Sequence, residues 1–185
     1  SKGTPVVTWS GDNPNSLIGV GAARPGVAVI SLGTSDTYFA AMEEPRVDPA
    51  GYGHVFGNPA GGFMSLICFK NGALAREAVR EANDLDWQGF EDLLNAAPAG
   101  NNGNMMLPYY VPEITPLVLH ATPKRVGSDE FVAGYVPRAE VRAVIEAQAM
   151  RLKLHSDWIS ETPDTLRITG GGSANTAICQ VLADV

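Results

Sequence analysis

Three short turns built on glycine, each behind an apolar stretch, constrain this chain more than any other feature: Gly11-Asp12-Asn13, Gly33-Thr34-Ser35 and Gly170-Gly171-Gly172-Ser173. Glycine removes the Cβ, so backbone N–H groups at such turns can approach a phosphate or ribose closely, and a helix starting there adds a favourable dipole for negative charge. One such turn is most often only a turn. Three in order point to an α/β chain that meets a nucleotide. The well-known phosphate loops are nevertheless absent. No G-x-x-x-x-G-K-S/T stretch occurs, and Asn175 stands where a dinucleotide fingerprint beginning at Gly170 would need its last glycine. Gly19-Val20-Gly21 fails likewise at Arg24. A dinucleotide fold also needs its loop after the first strand, with more βα units downstream, and this loop lies near the end of the sequence.

The periodicity around the turns supplies the elements. An apolar run at 5–8 reads as a strand entering the Asp12 turn, and runs at 27–31 and 37–41 read as a hairpin around the Gly33 tip. A strand over 63–69 ends at Asn71-Gly72, followed by a helix over 73–83 with Leu74, Ala75, Ala78, Val79 and Ala82 at helical spacing. Asp86 is a good N-cap for a helix from Trp87 to about Ala97. A loop at 98–104, a short strand at 105–107 and a proline-rich ordered loop at 108–116 come next. Pro137 opens the longest helix, reaching about Trp158, with Val141, Val144, Ile145, Gln148, Leu152 and His155 on one stripe and Glu140, Arg142, Glu146 and Arg151 largely off it. A strand at 166–169 runs into the last glycine turn, which opens a helix from Ala174 onward. That helix is still amphipathic at Val185 and lacks the usual closing Gly, Asn, Lys or Arg. The expectation is a polypeptide cut from a longer parent.

Composition narrows the partners. The net charge of −7 argues against a surface that neutralises nucleic acid phosphates or anionic lipid. No apolar run is long enough to span a membrane and no signal peptide opens the chain, so a cytoplasmic protein is expected. Cys68 and Cys179 lack metal-ligand or disulfide-framework spacing, and His54, His120 and His155 fit no metal set. Glu113 reads equally as a buried loop anchor or a solvent-facing charge. Asp12 reads either as a turn former capping a helix near Pro14 or as a general base for a substrate hydroxyl, with Asn13 beside it to touch the same hydroxyls.

At these residues the chain resembles the FGGY carbohydrate kinases, and within them the xylulose kinases. The blocks that carry the resemblance are Ser10-Gly11-Asp12-Asn13-Pro14, Ser31-Leu32-Gly33-Thr34-Ser35-Asp36-Thr37, Leu66-Ile67-Cys68-Phe69-Lys70-Asn71-Gly72, Glu113-Ile114-Thr115-Pro116, Glu140-Val141-Arg142-Ala143-Val144-Ile145-Glu146 and the stretch from Thr169-Gly170-Gly171-Gly172-Ser173-Ala174-Asn175 to Val185. The stretch at 128–134 fits the family pattern poorly. The resemblance implies an α/β, ribonuclease H-like (actin-like ATPase) domain, a mixed sheet flanked by helices, with residues 1–185 forming the C-terminal, nucleotide-binding domain. The N-terminal sugar-binding domain of the same polypeptide and the last C-terminal elements lie outside it. It implies transfer of the ATP γ-phosphate, with Mg2+, to a ketose such as D-xylulose. Asp12 matches the catalytic base and Asn13 a sugar contact; Gly33, Thr34 and Ser35 match the phosphate hairpin; Gly171, Gly172 and Asn175 match the adenosine loop; Trp87 falls where an aromatic lies near the nucleotide. No protein metal ligand is expected, a homodimer is compatible with the family, and the 185 residues alone are expected to be inactive.

Overall fold

In a computed structural model the described residues are 2–6, 10–159 and 162–185. The core is a sheet of β1 (Val27–Leu32), β2 (Asp36–Met42), β3 (His54–Gly57), β4 (Phe63–Phe69) and β9 (Thr165–Thr169), ordered β3-β4-β2-β1-β9. β9 runs parallel to β1, and the other pairs are antiparallel. The central strands are apolar nearly throughout because both faces are covered. The two-residue side-chain period sorts them. Val29, Phe39, Ala41, Met64 and Leu66 face Leu17 of α1 (Asp12–Gly19) and Ala22. Ile30, Leu32, Tyr38, Ala40, Ile67 and Phe69 face the opposite layer of helices.

That layer holds α2 (Ala73–Ala82), α3 (Trp87–Ala96), α5 (Pro137–Ser156) and α6 (Thr176–Asp184). Asp86 caps α3 as expected, accepting from Gly89 N–H at 2.7 Å. A 3₁₀ turn Ala99–Gly103 leads to β5 (Met105–Leu107), which pairs with β8 (Lys124–Val126); β6 (Glu113–Ile114) pairs with β7 (Leu117–Val118), and α4 is Asp129–Val132.

The structure refines the sequence reading at four places. Val7 and Thr8 of the first expected strand lie outside the described residues, while Pro5 and Val6 are irregular and exposed. α1 starts at Asp12, with Gly11 as N-cap and no side-chain cap. α6 starts at Thr176, because Gly171–Ala174 forms a 3₁₀ turn and the Asn175 side chain caps the helix through Ile178 N–H at 2.9 Å. Glu140, Arg142, Glu146 and Arg151, largely off the expected stripe, are buried as well, since α5 is enclosed by α2, α3, α6 and β5. Each finds an ionic partner: Arg125 with Glu140, Arg142 with Glu146, Arg151 with Glu113.

Candidate functional site

The β1–β2 hairpin ends in Gly33-Thr34-Ser35, and α2 begins against it, with Ala73 N–H donating to the Gly33 carbonyl at 2.9 Å. That approach requires Gly72, where a Cβ would stand 2.6 Å from Asp36 N. Gly170 is equally constrained. Its φ is +85°, and a Cβ would sit 2.6 Å from the Leu32 carbonyl oxygen, so the loop after β9 docks on the end of β1 beside the hairpin tip. Among the described residues, the N–H groups of Thr34 and Ser35 donate to no protein oxygen.

Between these loops and the helices lies a cleft of about 620 Å³, within the range of about 300–1,000 Å³ usual for small-molecule sites. It is lined by Leu32, Gly33 and Thr34, by Gly171, Gly172, Ala174, Asn175 and Ile178, and by Trp87, Gln88 and Glu91 of α3. Ala73, Arg76 and Glu77 of α2 close the remaining side. Trp87 is 46% exposed. Its ring is held by the edge of Phe90, 5.6 Å between centroids, and by the Arg80 guanidinium 5.2 Å from its centre. Thr176 Oγ1 donates to Glu91 Oε1 at 3.0 Å and ties α6 to α3. The cleft therefore combines an apolar lining of Trp87, Leu32 and Ile178 with a turn whose N–H donors are unengaged.

The cleft gathers Gly33, Thr34, Trp87, Gly171, Gly172 and Asn175 from the residues singled out in the sequence. Ser35 stays at the exposed hairpin tip, and Asp12 and Asn13 are not part of the cleft wall. α1 lies on the other sheet face. Asp12 is exposed, and among the described residues it accepts hydrogen bonds only from Asn13, from N at 2.8 Å and Nδ2 at 3.2 Å. It is still at the hairpin end of the sheet: its charge adds to the burial that raises the Cys68 thiol, and Cys68 pairs with Thr37 next to the turn. The sequence reading missed Arg76, Glu77, Gln88, Glu91 and Ile178.

Beneath the turn runs a buried polar chain. Arg76, 2% exposed, grips the fully buried Asp36 through two bonds of 2.9 Å each and donates to Gln148 Oε1 at 2.9 Å. Gln148 Nε2 donates to the carbonyls of Asn71 and Gly72, and Arg151 Nη2 to that of Asn71. Arg151 Nη1 reaches Glu113 Oε2 at 2.9 Å. Glu113 is a buried loop anchor, 1% exposed. Its own burial would raise its carboxyl. The Asn71 side chain and the N–H groups of Asn71, Lys70 and Ile114 outweigh that and hold it below its usual 4.5.

A depressed acid contributes stability above its unfolded value and loses it as pH falls through the folded one. Unfolding free energy is therefore expected to drop as pH is lowered from about 4.5. Burial shifts Asp36 upward despite Arg76, so it acts with the opposite sign. Urea titrations of the wild type and Glu113→Gln across pH 5 to 3 isolate the Glu113 part: the wild type should show the steeper fall.

Solved structures share this architecture. A ligand-bound xylulose kinase from Lactobacillus acidophilus aligns with a TM-score of 0.81 at 24% identity, over 92% of this chain and 35% of its own. A xylulose kinase from Bifidobacterium adolescentis aligns at 0.76 with 29% identity, over 89% of this chain and 33% of its own. The fold is thus the ribonuclease H-like α/β domain of actin-like ATPases, with a mixed sheet between helices. Residues 28–185 match the C-terminal domain of the FGGY family of carbohydrate kinases, and the chain belongs to that family. The xylulose kinase of Rattus norvegicus is 42% identical over 99% of this chain, and xylulose kinase 2 of Arabidopsis thaliana 35% over 100%. The chain spans about a third of these relatives, 34% and 36%. Asp12 and Asn13 precede the family-matched residues but fall within a stretch shared with the relatives.

Proposed function

We propose that this chain is the nucleotide-binding part of a kinase that moves the γ-phosphate of ATP to a ketose, D-xylulose becoming D-xylulose 5-phosphate. The observation that carries the reading is the cleft where the Gly33-Thr34 turn, Trp87 and the 171–175 loop meet. Its apolar wall suits a purine, and the free N–H groups of Thr34 and Ser35 suit the β- and γ-phosphates. Asp12 takes the proton from the attacking sugar hydroxyl, and Asn13 orients that sugar. Positioning and charge stabilisation dominate such transfers. The sugar assignment rests on the xylulose kinases among the relatives.

Mg2+ prefers one or two carboxylates plus substrate phosphates over an all-protein cage. Among the described residues no group of three or more His, Cys, Asp or Glu gathers, so in this reading the ion would be held largely by the phosphates of the nucleotide. The ion supplies charge neutralisation on the phosphates. The missing half of the sugar pocket is assigned to an N-terminal domain of the same polypeptide, so these 185 residues alone should not turn over sugar. A cytoplasmic setting agrees with two free cysteines. Among the described residues no helix is long and apolar enough to cross a membrane.

Calorimetric titration with Mg·ATP tests the reading directly. The chain should bind, and Trp87→Ala should weaken binding about 10-fold, since base–aromatic stacking is worth about 1–3 kcal/mol. Unchanged affinity in that variant would remove Trp87 from the base site; no binding by the wild type would remove the nucleotide.

A further inference from the structure

Arg76 does more than neutralise Asp36. Its Nη2 also donates to the Gly33 carbonyl at 3.3 Å, and that same carbonyl accepts Ala73 N–H at 2.9 Å. The Gly33–Thr34 peptide is trans, so its C=O and N–H point in opposite directions. With the carbonyl drawn toward Arg76 and the start of α2, the Thr34 N–H is turned away from them, free of any protein acceptor. Asp36, two residues past Thr34, is held by the same guanidinium, so one side chain fixes both ends of the turn. Arg76 is itself fixed: Gln148 accepts from it and is anchored on the carbonyls of Asn71 and Gly72. Arg76, Asp36, Gln148 and Asn71 are buried, in surroundings where charge-assisted bonds hold geometry most firmly, and Gly33 is half-buried at the edge of this set.

We infer that Arg76 is a positioning residue for the phosphate-facing turn, which presents the Thr34 and Ser35 N–H groups to the β-phosphate and beyond. The inference rests on the nucleotide reading above. Arg76 borders the cleft, but it is 2% exposed and its guanidinium nitrogens are taken up by Asp36, Gln148 and the Gly33 carbonyl, so it acts through Gly33 and Asp36. Lysine keeps the charge but cannot bridge both Asp36 oxygens and the Gly33 carbonyl at once.

The test is calorimetric titration of the 185-residue chain and its Arg76→Lys variant with AMP and with ADP. AMP affinity should stay within about 2-fold while ADP affinity falls about 10-fold, the size of one lost charge-assisted bond. A purely structural role would weaken both nucleotides alike, and that result overturns the inference, as does an ADP preference left intact. Gln148→Met, which removes the fixed partner of Arg76 while keeping the volume, should narrow the ADP preference in the same direction. It carries the test alone if circular dichroism shows Arg76→Lys unfolded. Failure of the wild type to bind either nucleotide overturns the nucleotide reading and this inference together; binding with the preference unchanged in the folded variants overturns this one only.

Discussion

Changing Asp12 to Asn in the full-length enzyme is expected to lower phosphoryl transfer by about 10²–10⁴, the usual worth of a positioned general base, while ATP affinity stays within about 2-fold. Asp12 and the cleft occupy different faces of the sheet, α1 on one and α2, α3 and α6 on the other. The change therefore leaves every wall of the cleft in place. Asparagine also keeps an oxygen that can accept the Asn13 N–H bond, so α1 should begin where it does now. What it loses is the ability to take a proton. Steady-state kinetics paired with calorimetry of ATP binding separate the two effects, and turnover retained near the wild-type rate would take Asp12 out of the base role.

The second large effect falls on stability. Glu113→Ala should cost about 3–5 kcal/mol, because removing one partner of a buried pair leaves the other charge uncompensated. Arg151 would remain buried beside Phe69, its guanidinium 4.6 Å from the ring centre, with Glu113 gone. The N–H groups of Lys70 and Asn71 would also lose their acceptor. Against a typical total of about 5–15 kcal/mol that is a large fraction, and the melting temperature should fall by roughly 10 °C for a domain of this size. Urea unfolding gives the measurement. Adding Arg151→Met should recover part of the loss, since replacing both members of a buried pair by apolar groups is often close to neutral. A single-variant cost below about 1 kcal/mol, the value of an exposed pair, would contradict the role given to Glu113.

The parts legible in the sequence were those with local signals. The hairpin over 27–42, the strand at 63–69 and the Asp86 cap each follow from period-two runs, glycine tips or cap chemistry within a few residues. Two of the three glycine turns, at Gly33 and Gly171, and Trp87 lie in the cleft wall, whereas the turn at Gly11 does not. The roles of Arg76, Gln148 and Arg151 escaped because their partners are distant in sequence: Arg76 meets Asp36 across 40 residues and Gln148 across 72, and Arg151 meets Glu113 across 38. A charge on a helix reads as solvated until the fold supplies a neighbour on every side. The N-terminus of α6 was read two residues early because glycine-rich sequence does not distinguish a 3₁₀ turn from the first turn of an α-helix.

Asn71-Gly72 is a sequence that ages chemically in loose chains, where the glycine nitrogen attacks the asparagine amide carbon and ammonia is lost. Here every polar atom of Asn71 is engaged: its amide oxygen takes the N–H groups of Tyr110 and Val111, its amide nitrogen gives to Val111 and Glu113, its backbone N–H gives to Glu113, and its carbonyl accepts from Gln148 and Arg151. The side chain cannot swing toward Gly72 without breaking that set. Deamidation at this pair therefore requires the region to open first, so the same bonds that shape the start of α2 also govern how long the molecule lasts.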